Sequence, residues 1–559
     1  MSRTSLLLLL FALASEVLAL WPAPRQMTNG STTLRLAGNF AIRTAFSRPS
    51  NDLMDAIAQT QTFLKNDKLG PLTIDRGASL VPGASKARQL SQLVLQLNAG
   101  KVSTTISSEV MKDVTTRDES YTLSVPADGS TATIKANNAL GLFRGLTTFG
   151  QLWYSSGGVT FMSTAPLSIA DTPAFPYRGL LLDTSRNFFQ VSDIKRTLDA
   201  MSFVKMNQFH WHVVDSQSFP LQVPGFMQLS EKGAYSSSDV YTPSDVSDIV
   251  SYAAARGIDV LVEIDTPGHS SVISKAFPEH IACAEATPWA SFANEPPAGQ
   301  LRLASPATQN FTADLLSAVA HMFPSTLFGT GGDELNTNCY TQDEQTQAEL
   351  NSTGKSLFDA LSDFTATTHG ALRKLGKTPV VWEEMVLSFN VTSLANDTIV
   401  MVWISSDDVQ AVAERGFRLV HAASDYFYLD CGGGGWVGEN ILGNSWCDPF
   451  KTWQKAYSFD PFANLTAAQQ ELVLGGEHLL WTEQSSPSNL DPVTWPRAAT
   501  SAEIFWTGAT LPSGSARNVE EALPRLHDLA LRVQTRGIAA IPLQPLWCAL
   551  RPGKCDLTA

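Results

Sequence analysis

The tetrapeptide Gly331-Gly332-Asp333-Glu334 closes the apolar run Leu327-Phe328-Gly329-Thr330, which has the composition of a short buried strand. Two neighbouring carboxylates in such a place shift one another's proton affinity, so that one holds a proton near neutral pH while the other stays ionised. Acid-catalysed cleavage of a bond needs that division of labour. The paired glycines free the backbone from strand geometry, and the two side chains can then face the same way. A solvated acidic turn would have the same composition, so the tetrapeptide does not decide alone.

Polar and aromatic residues recur at the ends of other apolar runs. The sequence carries Asp183-Thr184-Ser185-Arg186, His210-Trp211-His212-Val213-Val214-Asp215 and Glu263-Ile264-Asp265-Thr266-Pro267-Gly268-His269. Further on come Trp382-Glu383-Glu384, Trp403, then Tyr426, Tyr428 and Asp430, and finally Trp481-Thr482-Glu483. Aromatic rings with carboxylates and one arginine describe a sugar pocket. The rings stack on the apolar faces of pyranoses, and the charged groups hydrogen-bond hydroxyls. A phosphate site would show more Arg and Lys, or a glycine cradle at a helix start.

These residues need a scaffold that brings strand ends together. Eight runs alternate with helical stretches: Gly179–Asp183, Gln208–Val214, Asp259–Ile264, Leu327–Gly331, Pro379–Trp382, Ile399–Ile404, Arg418–Ala422 and Leu472–Trp481. The pattern predicts an α/β fold, a (β/α)₈ TIM barrel with its chemistry at the C-terminal strand ends. A doubly wound open sheet is the alternative, but no Gly-x-Gly-x-x-Gly follows the first strand. Upstream, Tyr121–Val125 and Thr131–Ile134 flank the turn Pro126-Ala127-Asp128-Gly129, and Asn138 caps a helix from Ala139 to Tyr154. The expected division is a signal peptide over 1–19, a small α+β domain over 20–171, and a catalytic barrel with a C-terminal extension over 172–559. Gly432 to Gly435 reads as a mobile loop near the site.

Of 559 residues, 44% are hydrophobic and 16% charged, with a net charge of −14. That balance argues against nucleic acid and anionic membranes as partners. Arg3, the apolar stretch Leu6 to Leu13 and Val17-Leu18-Ala19 have the order of a secretory signal, so a secreted, extracellular protein is expected. Sequons at Asn29, Asn310, Asn351, Asn390, Asn396 and Asn464 fit that route as glycosylation sites. The cysteines allow several pairings; loop closure favours Cys283–Cys339, Cys431–Cys447 and Cys548–Cys555.

From Trp21-Pro22-Ala23-Pro24 onwards the chain resembles glycoside hydrolase family 20, the β-N-acetylhexosaminidases, and its secreted fungal members most of all. The resemblance rests on Gly179 to Arg186, His210 to Gln217, Asp265 to His269, Gly331 to Glu334 and Trp481 to Glu483. It implies an exo-acting, retaining, substrate-assisted reaction on terminal β-linked N-acetylglucosamine, and also N-acetylgalactosamine, of chitooligosaccharides or glycans. The sugar's acetamido oxygen would attack its own anomeric carbon to give an oxazolinium-type intermediate. In that scheme Glu334 is the general acid/base, and Asp333 orients the acetamido N–H and balances its charge. Tyr428 donates to the acetamido oxygen, and Trp382, Trp403 and Trp481 cage the acetyl methyl. Arg186, Asp430 and Glu483 hold hydroxyls; Asp215 and His269 tune the acid, with His212 in support. The resemblance further implies a homodimer and no cofactor. The segment Ser50 to Lys86 has weak motifs, and its processing is left open. One rival is a metal-dependent hydrolase using His210, His212 and His269; another is a sugar-binding protein without turnover.

Overall fold

The structure, a computed structural model, describes residues 19–72 and 81–559. The signal peptide lies outside these residues except for Ala19, as does part of the Ser50 to Lys86 stretch.

The N-terminal region forms a six-stranded mixed sheet in the order Gln26–Thr44, Arg88–Leu97, Ala132–Ala136, Tyr121–Val125, Val159–Asp171, Tyr154–Ser156. Alternation of buried and exposed residues along Tyr121–Val125 sends one face to the core. The helix Ala139–Gln151 covers that face. Asn138 Oδ1 caps it by accepting from the Gly141 amide at 2.9 Å. The helix stops three residues short of the expected Tyr154. There the chain turns into Tyr154–Ser156, which pairs back on Val159–Phe161. Gly157 and Gly158, at φ 56° and 78°, make the tight turn between them.

Eight parallel strands close the barrel: Tyr177–Asp183, Gln208–Val214, Asp259–Ile264, Leu327–Gly331, Thr378–Trp382, Ile399–Val402, Arg418–His421 and Val473–Leu480. The last pairs with the first over Gly475 to Leu480. Nearly every strand position is buried, as helices outside and side chains inside require. The sixth strand ends at Val402, so Trp403 and Ile404 stand beyond it.

The barrel interior departs from the usual aliphatic filling. Its inner column alternates acid and imidazole. His210 Nδ1 meets Glu477 at 2.9 Å and its Nε2 meets Glu263 at 3.2 Å. His212 Nδ1 meets Glu263 at 2.7 Å, and Tyr177 donates to Glu477 at 2.6 Å. Gly179 and Gly329 make room: a Cβ on either would lie within 3.0 Å of Glu477 or Glu263.

Buried ion pairs tie the two regions together. Glu119 of the sheet domain bonds Arg144 at 2.7 Å and Arg178 of the first barrel strand at 2.6 Å. Burial alone would raise its carboxyl, but the two guanidinium groups outweigh it and hold it at about 2. Disulfides join Cys283–Cys339, Cys431–Cys447 and Cys548–Cys555. The asparagines of all six sequons are exposed.

Candidate active site

The fourth strand ends in a turn that only glycines can make. Gly331 has φ 66°, and a Cβ there would lie 1.8 Å from Asp265 Oδ1; Gly332 has φ 98°. Glu334 is itself left-handed at φ 54°. This path puts Asp333 and Glu334 on the wall of one cavity of about 660 Å³ at the C-terminal end of the barrel. Arg186, Asp215, His269, Trp382, Trp403, Tyr428, Asp430, Trp481 and Glu483 line the same cavity. Every residue expected at the site is therefore gathered there, and His212 lines it too.

A hydrogen-bonded series backs Glu334. His269 Nε2 lies 3.4 Å from Glu334 Oε2, and its Nδ1 lies 3.1 Å from Asp215 Oδ1. His212 Nε2 meets the other Asp215 oxygen at 2.9 Å and continues into the barrel column. All four ring nitrogens of His210 and His212 are thus engaged by carboxylates. Burial opposes charge on His269, but Asp215 and Asp333 overcome it and keep the ring an imidazolium well past its ordinary range.

Proton placement differs from expectation in one respect. Burial and then Asp265, which shares a hydrogen bond with it, push Asp333 well above its usual range. Burial also pushes Glu334 up, but the His269 hydrogen bond and charge outweigh that and leave it lowered. Asp333 is thus the harder of the two neighbours to ionise and Glu334 the easier. The like charge that matters is Asp265, from the third strand end, rather than the sequence neighbour. Asp265 Oδ1 also accepts the Gly332 amide at 2.9 Å.

Aromatic rings wall the rest. Trp382 and Trp481 lie 6.1 Å apart, Trp403 stacks parallel to Tyr428 at 6.3 Å, and Tyr428 is 6.4 Å from Trp481. The bridge between Tyr428 and Leu479 pins that tyrosine to the last strand. Arg186 lies over Trp481 and bonds Asp215 at 2.9 Å and Asp183 at 3.2 Å. It also bonds Glu295 from the loop before the fourth strand. Three buried polar atoms on this cavity have no partner among the described residues: Asp333 Oδ1, Asp430 Oδ1 and Trp382 Nε1.

Residues 175–509 match the model of the glycosyl hydrolase family 20 catalytic domain. The chain belongs to glycosyl hydrolase family 20. Residues 20–152 match a second model, described as beta-acetyl hexosaminidase like. A beta-hexosaminidase of Arthroderma benhamiae is 35% identical over 524 residues, covering 90% of this chain and 84% of that protein. A chitooligosaccharidolytic beta-N-acetylglucosaminidase of Bombyx mori is 34% identical over 562 residues, covering 96% and 89%. The crystal structure of a Flavobacterium johnsoniae chitobiase superposes with a TM-score of 0.73 at 26% identity, covering 93% of this chain and 73% of that one. This family 20 chain is a glycosidase, a β-N-acetylhexosaminidase, with a TIM-type barrel behind a separate N-terminal domain.

Several residues of the family 20 site went unassigned in the sequence. Asp265 and Glu384 sit inside motifs already noted, and their position at strand ends was the available signal. Glu295 lies in an irregular loop with no periodic cue.

The buried acids fix how stability of this family 20 enzyme follows pH. Burial first raises Glu383 to about 9, Glu483 to about 8, and Asp430 and Glu384 to about 7. Carboxylate partners, against the burial penalty, raise His210 to about 10 and His212 to about 9. Burial works the other way on His369 and His421, held at about 3 and 4, and on His478, but the raised groups outnumber them, so between pH 6 and 8 the folded state binds more protons than the unfolded one and stability falls as pH rises. The thermal unfolding midpoint is expected to be higher at pH 6 than at pH 8 at equal ionic strength. An equal or higher midpoint at pH 8 would contradict these proton placements.

Proposed function

We propose that the enzyme removes terminal, non-reducing β-linked N-acetylglucosamine, and N-acetylgalactosamine, from chitooligosaccharides or glycans, with the substrate's own acetamido group as nucleophile. The acetamido oxygen forms a bond to the anomeric carbon as the glycosidic bond breaks. The leaving oxygen takes the Glu334 proton, and an oxazolinium-type ring remains. Glu334, now a carboxylate, takes a proton from the water that opens the ring, giving retained configuration. Holding the nucleophile inside the substrate supplies a high effective molarity, so the protein need only fix geometry and balance charge.

The observation that carries this reading is one cavity lined by Asp333, whose Oδ2 lies 3.8 Å from His269 Nε2, together with Glu334 and the rings of Trp382, Trp403, Tyr428 and Trp481. An acetamido N–H meets an Asp333 carboxylate oxygen, and the acetyl methyl fits among the rings. Sugar binding displaces water from Glu334, which favours its acid form, while the N–H draws charge to Asp333. Glu334 in its acid form is then the donor that cleavage uses. The name of the Bombyx mori relative, with its chitooligosaccharide substrate, supports the same class of glycan.

A panel of aryl β-N-acetylglucosaminide, β-N-acetylgalactosaminide and β-glucoside tests the reading. Both amide-bearing sugars should release phenol, and the glucoside, which lacks the internal nucleophile, should not. Comparable turnover of the glucoside would rule out substrate assistance. We also propose secretion, supported by the disulfides and exposed sequons. Unchanged mass of the protein from culture medium after N-deglycosylation would count against glycosylation along that route.

A further inference from the structure

Trp403 lies one residue past the sixth strand, outside the ladder that orders its neighbours. Two consecutive carboxylates from the fifth strand end hold it instead. Glu383 Oε2 accepts its main-chain amide at 2.8 Å, and Glu384 Oε2 accepts its indole Nε1–H at 2.8 Å. The same helix start also packs on the turn that carries Glu334. That residue's left-handed backbone is strained for a side chain larger than glycine and persists only where surroundings over-determine it. The next residue, Met385, fills the space beside Gly332, where a Cβ would lie 2.6 Å from Met385 Cγ. The short helix Glu384–Leu387 thus touches both the turn that carries Asp333 and Glu334 and the ring that faces Tyr428.

Glu384 itself does not line the cavity. It is only 7% exposed, and a buried carboxyl is costly unless its oxygens are used. Here Oε2 accepts the indole N–H of Trp403 at 2.8 Å. An indole held by one hydrogen bond at its edge cannot swing away from the cavity without leaving that carboxyl unsatisfied.

We propose that Glu384 is a positioning residue that holds the Trp403 indole in place beside the catalytic turn, on which its neighbour Met385 packs, and so sets which N-acyl group the site admits. The inference rests on the acetamido group lying between Trp382, Trp403 and Trp481, as in the reaction proposed above. A wall fixed at both ends rejects an extra methylene; a released wall gives way.

The test compares kcat/KM for 4-nitrophenyl β-glucosaminides carrying N-acetyl and N-propionyl groups. A rigid pocket should favour the acetyl compound by about 10- to 200-fold. Glu384→Met keeps the volume but has no oxygen acceptor, and the ratio should fall by about tenfold. Glu384→Gln retains a carbonyl acceptor for the indole and should keep most of the ratio. Trp403→Phe removes the same hydrogen bond from the other side and should lower the ratio even if Glu384→Met does not fold. A wild-type ratio in folded Glu384→Met or in Trp403→Phe overturns the proposal, as does a glutamine variant as permissive as methionine. The N-propionyl ratio reports on Glu384 alone; turnover of a plain β-glucoside by the unaltered enzyme would instead strike at the acetamido reading beneath it.

Discussion

Glu334→Gln is expected to lower kcat/KM for chitobiose by about 10²- to 10⁴-fold, the usual range for loss of a positioned general acid. The amide is nearly isosteric, so substrate binding should survive. With 4-nitrophenyl N-acetyl-β-glucosaminide the first step should suffer far less, because nitrophenolate departs without a proton. The second step still needs a base for water, so intermediate breakdown becomes limiting. The structure explains why one residue serves both steps. His269 and Asp215 stand behind Glu334 as a fixed ion pair and stabilise its carboxylate, and a bound sugar is what favours its acid form. Chitobiose turnover at the wild-type rate in Glu334→Gln would remove Glu334 from the acid role.

Asp333→Asn should lower the rate by about 10²- to 10³-fold, with good and poor leaving groups alike. This substitution separates two protonation states that the structure makes distinct. Burial and Asp265 favour neutral Asp333 here, and asparagine imitates that neutral form. Positive charge develops on the acetamido group as its oxygen attacks, and only the carboxylate balances it. If the neutral form were the working one, Asp333→Asn would stay close to wild type on the aryl substrate. Such a result would dismiss Asp333 from charge stabilisation and leave it a packing role.

The barrel was legible in the sequence because its strands are short apolar runs punctuated by chemistry. Leu327–Gly331 and Gln208–Val214 occur with the bounds expected from residue type alone. Trp403 was placed at a strand end for the right reason, yet Ile399–Val402 stops before it because the Glu383 carboxylate, not a neighbouring strand, takes its amide. Partnerships across the barrel were not legible. Sequence adjacency pointed to Glu334 as the group that perturbs Asp333, but after burial it is Asp265, a side chain 68 positions away, that raises it. Glu263 was noted only as part of a strand-end motif and Glu477 not at all; only closure of the barrel sets them against His210, in space that Gly179 and Gly329 leave free. Likewise Glu295 reaches Arg186 from a loop whose path no periodicity encodes.

The most direct measurement is a crystal structure with the sugar thiazoline that imitates the cyclised intermediate. Substrate assistance predicts its ring nitrogen at about 3 Å from a carboxylate oxygen of Asp333, with the methyl enclosed by Trp382, Trp403 and Trp481. A thiazoline bound away from Asp333 and Glu334, or with its methyl turned out of that cage, would contradict it.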